Sequence, residues 1–161
     1  MSAAVTVAVS ADDLWAVLSG VWESLLGRPA HPADAADGSE GGVTASVTLH
    51  GDWEGAVTFA CSTTAAESLT RMMLALPSDA RLMRDDVPDA VCEVVNVIGG
   101  NVKALVEGSS RLGLPEWGVA VPPEGCGLVC HLAVAWDEHV ARVCVWQRAG
   151  TVEEPTGGGA R

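Results

Sequence analysis

The chain has 161 residues, 48% of them hydrophobic and 19% charged, which fits one packed domain and excludes both wholesale disorder and two sizeable units. No apolar run approaches the ~18–20 residues that cross a bilayer. Nine Lys and Arg against 21 Asp and Glu leave a formal charge of −12, and the single lysine and scattered arginines form no polybasic stripe, so neither nucleic acid nor an anionic membrane is expected as a partner.

The N-terminal MSAAVTVAVSADD has no basic residue ahead of its short apolar stretch and does not read as a secretory signal. Five cysteines, an odd number, suit free thiols better than a disulfide framework, and both observations favour a cytoplasmic location. Leu14, Val17, Leu18, Val21 and Leu25 recur at helical spacing and predict a first amphipathic helix over 11–27, N-capped by Ser10. Residues 28–42, with Pro29, Pro32 and a closing glycine pair, lack any period and read as an exposed connection.

Alternation at Val43, Ala45, Val47 and Leu49, resumed at Trp53, Gly55, Val57, Phe59 and Cys61, predicts a β-hairpin with one buried face, turning at His50-Gly51-Asp52. Thr64 and Glu67 offer a capping box for a second helix, whose stripe of Leu69, Met72, Met73 and Leu76 runs to Pro77. A polar connection leads to the longest helix, over 86–108, with Pro88 in its first turn. Three strands follow, around 117–121, 128–136 and 140–146, and the tail 148–161, rich in Gly, Glu and Thr, is expected to be disordered. The fold class is therefore α+β, a mainly antiparallel sheet with helices packed on one face, in a single domain over 1–147.

On the long helix, Val91, Val95, Ile98, Val102 and Leu105 form the core stripe, and Asp89, Glu93, Asn96, Gly100, Lys103 and Glu107 stack along the opposite ridge. A polar ridge is ordinarily a solvated face, and Lys103 suits an ion pair with Glu107. Two features argue for more. Asn is a poor helix former, and Gly99 and Gly100 each cost about 1 kcal/mol relative to Ala in mid-helix. Gly100, one turn beyond Asn96, removes bulk where another surface would approach; the alternative is that Gly99, and Gly100 with it, accommodate packing of a neighbouring helix.

The run Asp89-Ala-Val-Cys-Glu93-Val-Val-Asn96-Val-Ile-Gly-Gly100-Asn-Val-Lys103-Ala-Leu resembles the signature helix of CheX, in the CheC/CheX/FliY family of chemotaxis phosphatases. The hairpin Gly51-Asp-Trp-Glu-Gly55-Ala-Val-Thr-Phe, the Met72-Met73 helix and Leu112-Gly-Leu-Pro115 resemble flanking segments in the same order, so the likeness spans about 43–121. The family pattern is Asp or Ser, three residues, Glu, two residues, Asn, then a downstream proline. Asp89, Glu93, Asn96 and Pro115 fill these places, with Pro122 and Pro123 competing for the last. CheC-like members carry two Glu/Asn pairs; the single pair here suits CheX.

The resemblance implies a CheC/CheX-like fold and a phosphatase that hydrolyses the aspartyl phosphate of a CheY-like response-regulator receiver domain. Asn96 would orient the attacking water and Glu93 would pair with the receiver's active-site lysine, as the catalytic residues. Asp89 and Gly100 are partner-binding candidates, although Asp89 equally suits compensation of the helix dipole. Mg²⁺ would be bound by the receiver, so no metal or cofactor of the chain's own is expected. A homodimer formed through sheet edges is also implied. The alternative is a non-catalytic CheX-like module that docks a receiver or another signalling protein.

Two further constellations carry less. Cys126, Cys130, His131 and His139 invite a metal site, but residues four apart on a strand lie about 13 Å from one another. The six tryptophans, beside one Phe and no Tyr, suit core or interface anchors alike.

Overall fold

The computed structural model describes residues 9–34, 42–119 and 123–149. Helix α1 (Ala11–Val21) opens on a reciprocal cap: Ser10 Oγ accepts from the Asp13 N–H at 3.0 Å, and the Asp13 carboxylate accepts from the Ser10 N–H at 3.3 Å. The predicted helix continues past Val21 only as a π-helical turn, Trp22–Leu26, closed by Gly27 in the left-handed region at φ 67°. Trp22 begins that turn and is fully buried, its ring 5.5 Å from that of Trp136.

Among the described residues seven strands form one antiparallel sheet: β1 (His31–Ala33), β2 (Val43–Gly51), β3 (Gly55–Cys61), β4 (Ser110–Leu112), β5 (Glu116–Trp117), β6 (Cys126–Trp136) and β7 (His139–Arg148). Their order is β1-β6-β7-β3-β2-β4, with β5 also paired to β2. The α+β class with a mainly antiparallel sheet is as expected.

Several details differ from the sequence reading. The connection expected over 28–42 contains β1, whose Pro32 is tolerated because the strand lies at the sheet edge. Strand β4 was not expected, since three residues are too few to show a period. The strand placed around 117–121 is the two-residue β5, and residues 120–122 lie outside the described ones. Arg148, at the start of the expected tail, completes β7; its N–H donates to the Glu54 carbonyl at 2.8 Å and its guanidinium to the Glu54 carboxylate at 2.9 Å. Residues 150–161 lie outside the described ones.

Strand β3 is buried from Gly55 to Phe59 on both faces, where the alternation suggested one. It is central, held between β2 and β7, and Trp146 of β7 reaches across its outer side to donate its indole N–H to Thr58 Oγ1 at 2.9 Å. On the other side Val47, Leu49, Val57, Phe59, Val143 and Val145 meet the helices in one core.

Helix α2 (Thr63–Met73) is capped by Ser62, whose Oγ accepts from the Ala65 N–H at 3.0 Å, and not by Thr64 as the spacing suggested. It ends at Met73, and Ala75 takes a positive φ of 54°, so Leu76 leaves the predicted stripe and is 38% exposed. Helix α3 (Asp86–Leu105) lies on β2 and β3 and touches both α1 and α2. Among the described residues no helix is long and apolar enough to cross a membrane.

Candidate functional site on the ridge of the long helix

Helix α3 divides its residues sharply between two sides. Val91, Val95, Ile98 and Val102 are fully buried as predicted, and Val94 joins them. Leu105, assigned to the same stripe, is 39% exposed because it is the last helical residue. On the ridge, Asp89, Glu93 and Lys103 are exposed, and Asn96 and Gly100 are half-buried. Helical rise separates Glu93 from Asn96 by about 4.5 Å along the axis and Asn96 from Gly100 by about 6 Å. All four expected site residues thus share one face. Glu107 lies beyond the helix end and makes no ion pair with Lys103 among the described residues.

The two asparagines are differently engaged. Asn101 donates its side-chain N–H to the Val97 carbonyl at 2.8 Å, satisfying itself on its own helix. No such bond engages Asn96 among the described residues, so its carboxamide keeps donor and acceptor for another molecule.

The two glycines differ as well. A Cβ on Gly99 would stand 2.6 Å from Val47 Cγ1 and 3.0 Å from Leu112 Cδ1, so this glycine seats the helix on the sheet rather than on a neighbouring helix. A Cβ on Gly100 would meet nothing within 4 Å among the described residues. Internal packing therefore explains Gly99 and leaves Gly100 unexplained.

At the start of α3, the Asp86 carboxylate accepts from the Met83 N–H at 2.7 Å and ties down the entry of the chain. Asp89 shares the acidic first turn, which favours the helix dipole, but its side chain is exposed. Its charge is felt by Cys92, whose thiol pKa is raised, first by burial and then by Asp89. That cysteine is consequently a poor nucleophile.

Beside the C-terminal half of α3 runs the segment that carries Pro115. The Gly113 N–H donates to the Thr48 carbonyl at 2.7 Å, and the next residue, Leu114, is 87% exposed. Trp117, on β5, is 43% exposed. Sequence reasoning did not single out Leu114; the available signal was an isolated leucine between Gly113 and Pro115, where turn residues are usual. The other five tryptophans divide as the sequence left open: Trp22, Trp53 and Trp136 are core residues, and Trp15 and Trp146 are half-buried.

The family model described as Chemotaxis phosphatase CheX matches residues 43–118, which contain Asp89, Glu93, Asn96, Gly100 and Pro115. A crystal structure of a chemotaxis protein CheX from Desulfovibrio desulfuricans superposes with a TM-score of 0.68 at 17% identity, covering 85% of this chain and 97% of that one. The chemotaxis protein CheX from Vibrio vulnificus gives 0.65 at 16% identity, covering 90% and 98%. The CheX in a CheX–CheY–BeF3–Mg²⁺ complex from Borrelia burgdorferi gives 0.60 at 17% identity, covering 85% and 96%. No curated protein matches the chain.

At these identities the structural likeness establishes the fold, which is that of the CheC/CheX/FliY class. Within that class the sequence match, over residues 43–118, is to CheX, and over that segment the chain is similar to CheX.

Proposed function

We propose that this protein accelerates hydrolysis of the aspartyl phosphate on a CheY-like receiver domain, with one Glu/Asn site per chain. The observation that carries the reading is the uncommitted carboxamide of Asn96 on an open ridge, between Glu93 and the side-chain-free Gly100, inside the segment that matches CheX. Support for the partner comes from the Borrelia relative, whose structure is a complex with CheY, BeF3 and Mg²⁺.

In the reaction, a water oxygen bonds to phosphorus as the bond from phosphorus to the aspartyl oxygen breaks, giving inorganic phosphate and a free carboxylate. The acyl phosphate is a good leaving system, so positioning of the water is the main demand. The Asn96 carbonyl oxygen would accept a hydrogen bond from that water and aim its lone pair at phosphorus in line with the leaving oxygen. Glu93, on the same face and exposed, would meet the receiver's lysine and fix the docking pose. A hundredfold acceleration requires about 2.7 kcal/mol of transition-state stabilisation, within reach of one oriented water in a site closed by a helix.

The metal in this reading belongs to the receiver. The Borrelia relative's complex holds Mg²⁺ together with CheY. A cytoplasmic location and a homodimer accompany the reading; light scattering of the purified chain measures the second.

The test follows decay of a phosphorylated receiver with wild type, Asn96→Ala and Glu93→Ala. Expected are acceleration by wild type, loss of most of it with Asn96→Ala, and weakened association with Glu93→Ala. Receiver binding without acceleration by wild type would establish instead a non-catalytic docking module. Full acceleration by both variants would move the site elsewhere.

A further inference from the structure

A cleft of about 340 Å³ opens where one face of α2 meets the turn after the π-helical segment and the β6–β7 hairpin. No residue of α3 lines it, so it is separate from the ridge described above. Its volume lies in the range of small-molecule sites.

The lining is rich in donors. Thr64, Ser68 and Arg71 project from successive turns of α2, Ser78 comes from the following loop, and Arg28 and His139 close the opposite wall together with one carboxylate, Asp137. Two of the eight arginines in a chain of net charge −12 are thus brought to one concavity. The Arg71 side chain is only 21% exposed, and its Nε–H donates to the Ala80 carbonyl at 2.9 Å, which fixes the plane of the guanidinium. Its Nη2 stands 3.6 Å from Glu67, and Arg28 Nε stands 3.8 Å from Asp137. Both separations exceed a hydrogen bond, so each guanidinium retains N–H groups for a ligand. Met72 and Leu76 add an apolar patch, with Leu76 38% exposed.

We infer that this cleft binds a small organic phosphate, its phosphate oxygens taken by Arg28, Arg71 and the hydroxyls of Thr64, Ser68 and Ser78, and its apolar part resting on Met72 and Leu76. The Arg71 guanidinium, its plane fixed from behind by the Ala80 carbonyl, matches the acceptor oxygens of a phosphate monoester, and the more exposed Arg28 can swing to meet it. The neighbouring hydroxyls supply further donors without adding charge.

Phenyl phosphate is the probe, titrated into the ¹⁵N-labelled full chain while amide resonances are followed. Expected are saturable shifts at Ser68, Arg71 and His139 with a Kd of about 1 mM, as befits so small a ligand. Inorganic phosphate and phenol should each bind more weakly, because each lacks half of the recognised chemistry. Arg28→Gln and Ser68→Ala, at positions whose loss leaves the Arg71–Ala80 tie intact, should weaken binding, the former about 10-fold. Arg111→Gln, on β4, should leave it unchanged. Absence of saturable shifts at these amides would overturn the inference. So would equal binding of phenol, or an equal loss on Arg111→Gln, which would mean diffuse attraction instead of a site.

Discussion

Gly99 and Val47 bring α3 and β2 together at a separation that only a glycine permits, since a Cβ at position 99 would stand 2.6 Å from the valine Cγ1. The ridge that carries Asn96 is held at a fixed height over the sheet by this contact. Gly99→Ala should therefore destabilise the fold by about 1–3 kcal/mol, as overpacking does. Gly100→Ala should retain stability or gain up to about 1 kcal/mol from helix propensity. Urea denaturation of the two variants checks the pair, and equal losses would contradict it.

The opposite order is expected for the partner reaction. Gly100→Leu places a branched side chain on the face where the proposed receiver would lie, starting from a Cβ position with no neighbour within 4 Å among the described residues. Its association with a phosphorylated receiver should weaken about 10-fold or more, a steric loss of at least 1.4 kcal/mol. Surface plasmon resonance against an immobilised receiver gives the readout.

Asn96→Ala and Asn101→Ala form a controlled pair on one helix. Asn101 is exposed and bonded to its own backbone, so its removal should leave receiver dephosphorylation within about twofold of wild type. Asn96→Ala should lower the rate by about 100-fold, equivalent to about 2.7 kcal/mol. Single-turnover decay of the phosphorylated receiver at saturating protein separates this from weaker binding.

Burial pushes the Cys61 thiol up to about 12 from its ordinary 9.0. Between those values the unfolded chain ionises this thiol while the folded chain keeps it protonated. The folded state then binds more protons, and stability falls as pH rises through that window. One such group contributes a slope of up to about 1.4 kcal/mol per pH unit. Cys61→Ala should be less stable at pH 8 but show a shallower decline above pH 9, measured by denaturant titration. Cys130, pushed up to about 11 by burial first and by Cys144 and Asp13 next, adds a smaller part of the same decline.

The Trp22–Trp136 pair separates ring packing from hydrogen bonding. Both indole N–H groups are buried without a partner among the described residues. Trp136→Phe should accordingly cost little beyond the lost volume, since no bond is broken. Trp136→Ala should cost about 3–5 kcal/mol through the cavity. Thermal denaturation, with near-ultraviolet circular dichroism to confirm the native environment, distinguishes the two.

Legibility in the sequence followed the length over which a pattern repeats. The 20 residues of α3 carry a helical period long enough to place Asn96 outward and Ile98 inward before any coordinates. The β2–β3 hairpin was equally clear. By contrast, β1 and β4 have three residues each and owe their state to pairing with β6 and β2, which no local period reports. The Ser62 cap was displaced in the reading by Thr64 and Glu67, whose spacing fits a capping box equally well. At the site, the ridge residues were read from spacing, but their roles rested on resemblance. The separate duties of Gly99 and Gly100 became visible only with Val47 and Leu112 in place. The α2 cleft was not legible at all, because it joins residues from three distant stretches of chain.

The central position of β3 has a bearing on how the molecule is made. Its two neighbours are β2, adjacent in the chain, and β7, which follows every other element. A chain emerging from the ribosome can form the first hairpin and both later helices early, yet one edge of β3 stays open until residues 139–148 arrive. Such long-range closure slows folding and leaves an apolar strand edge available to other nascent chains in the interval.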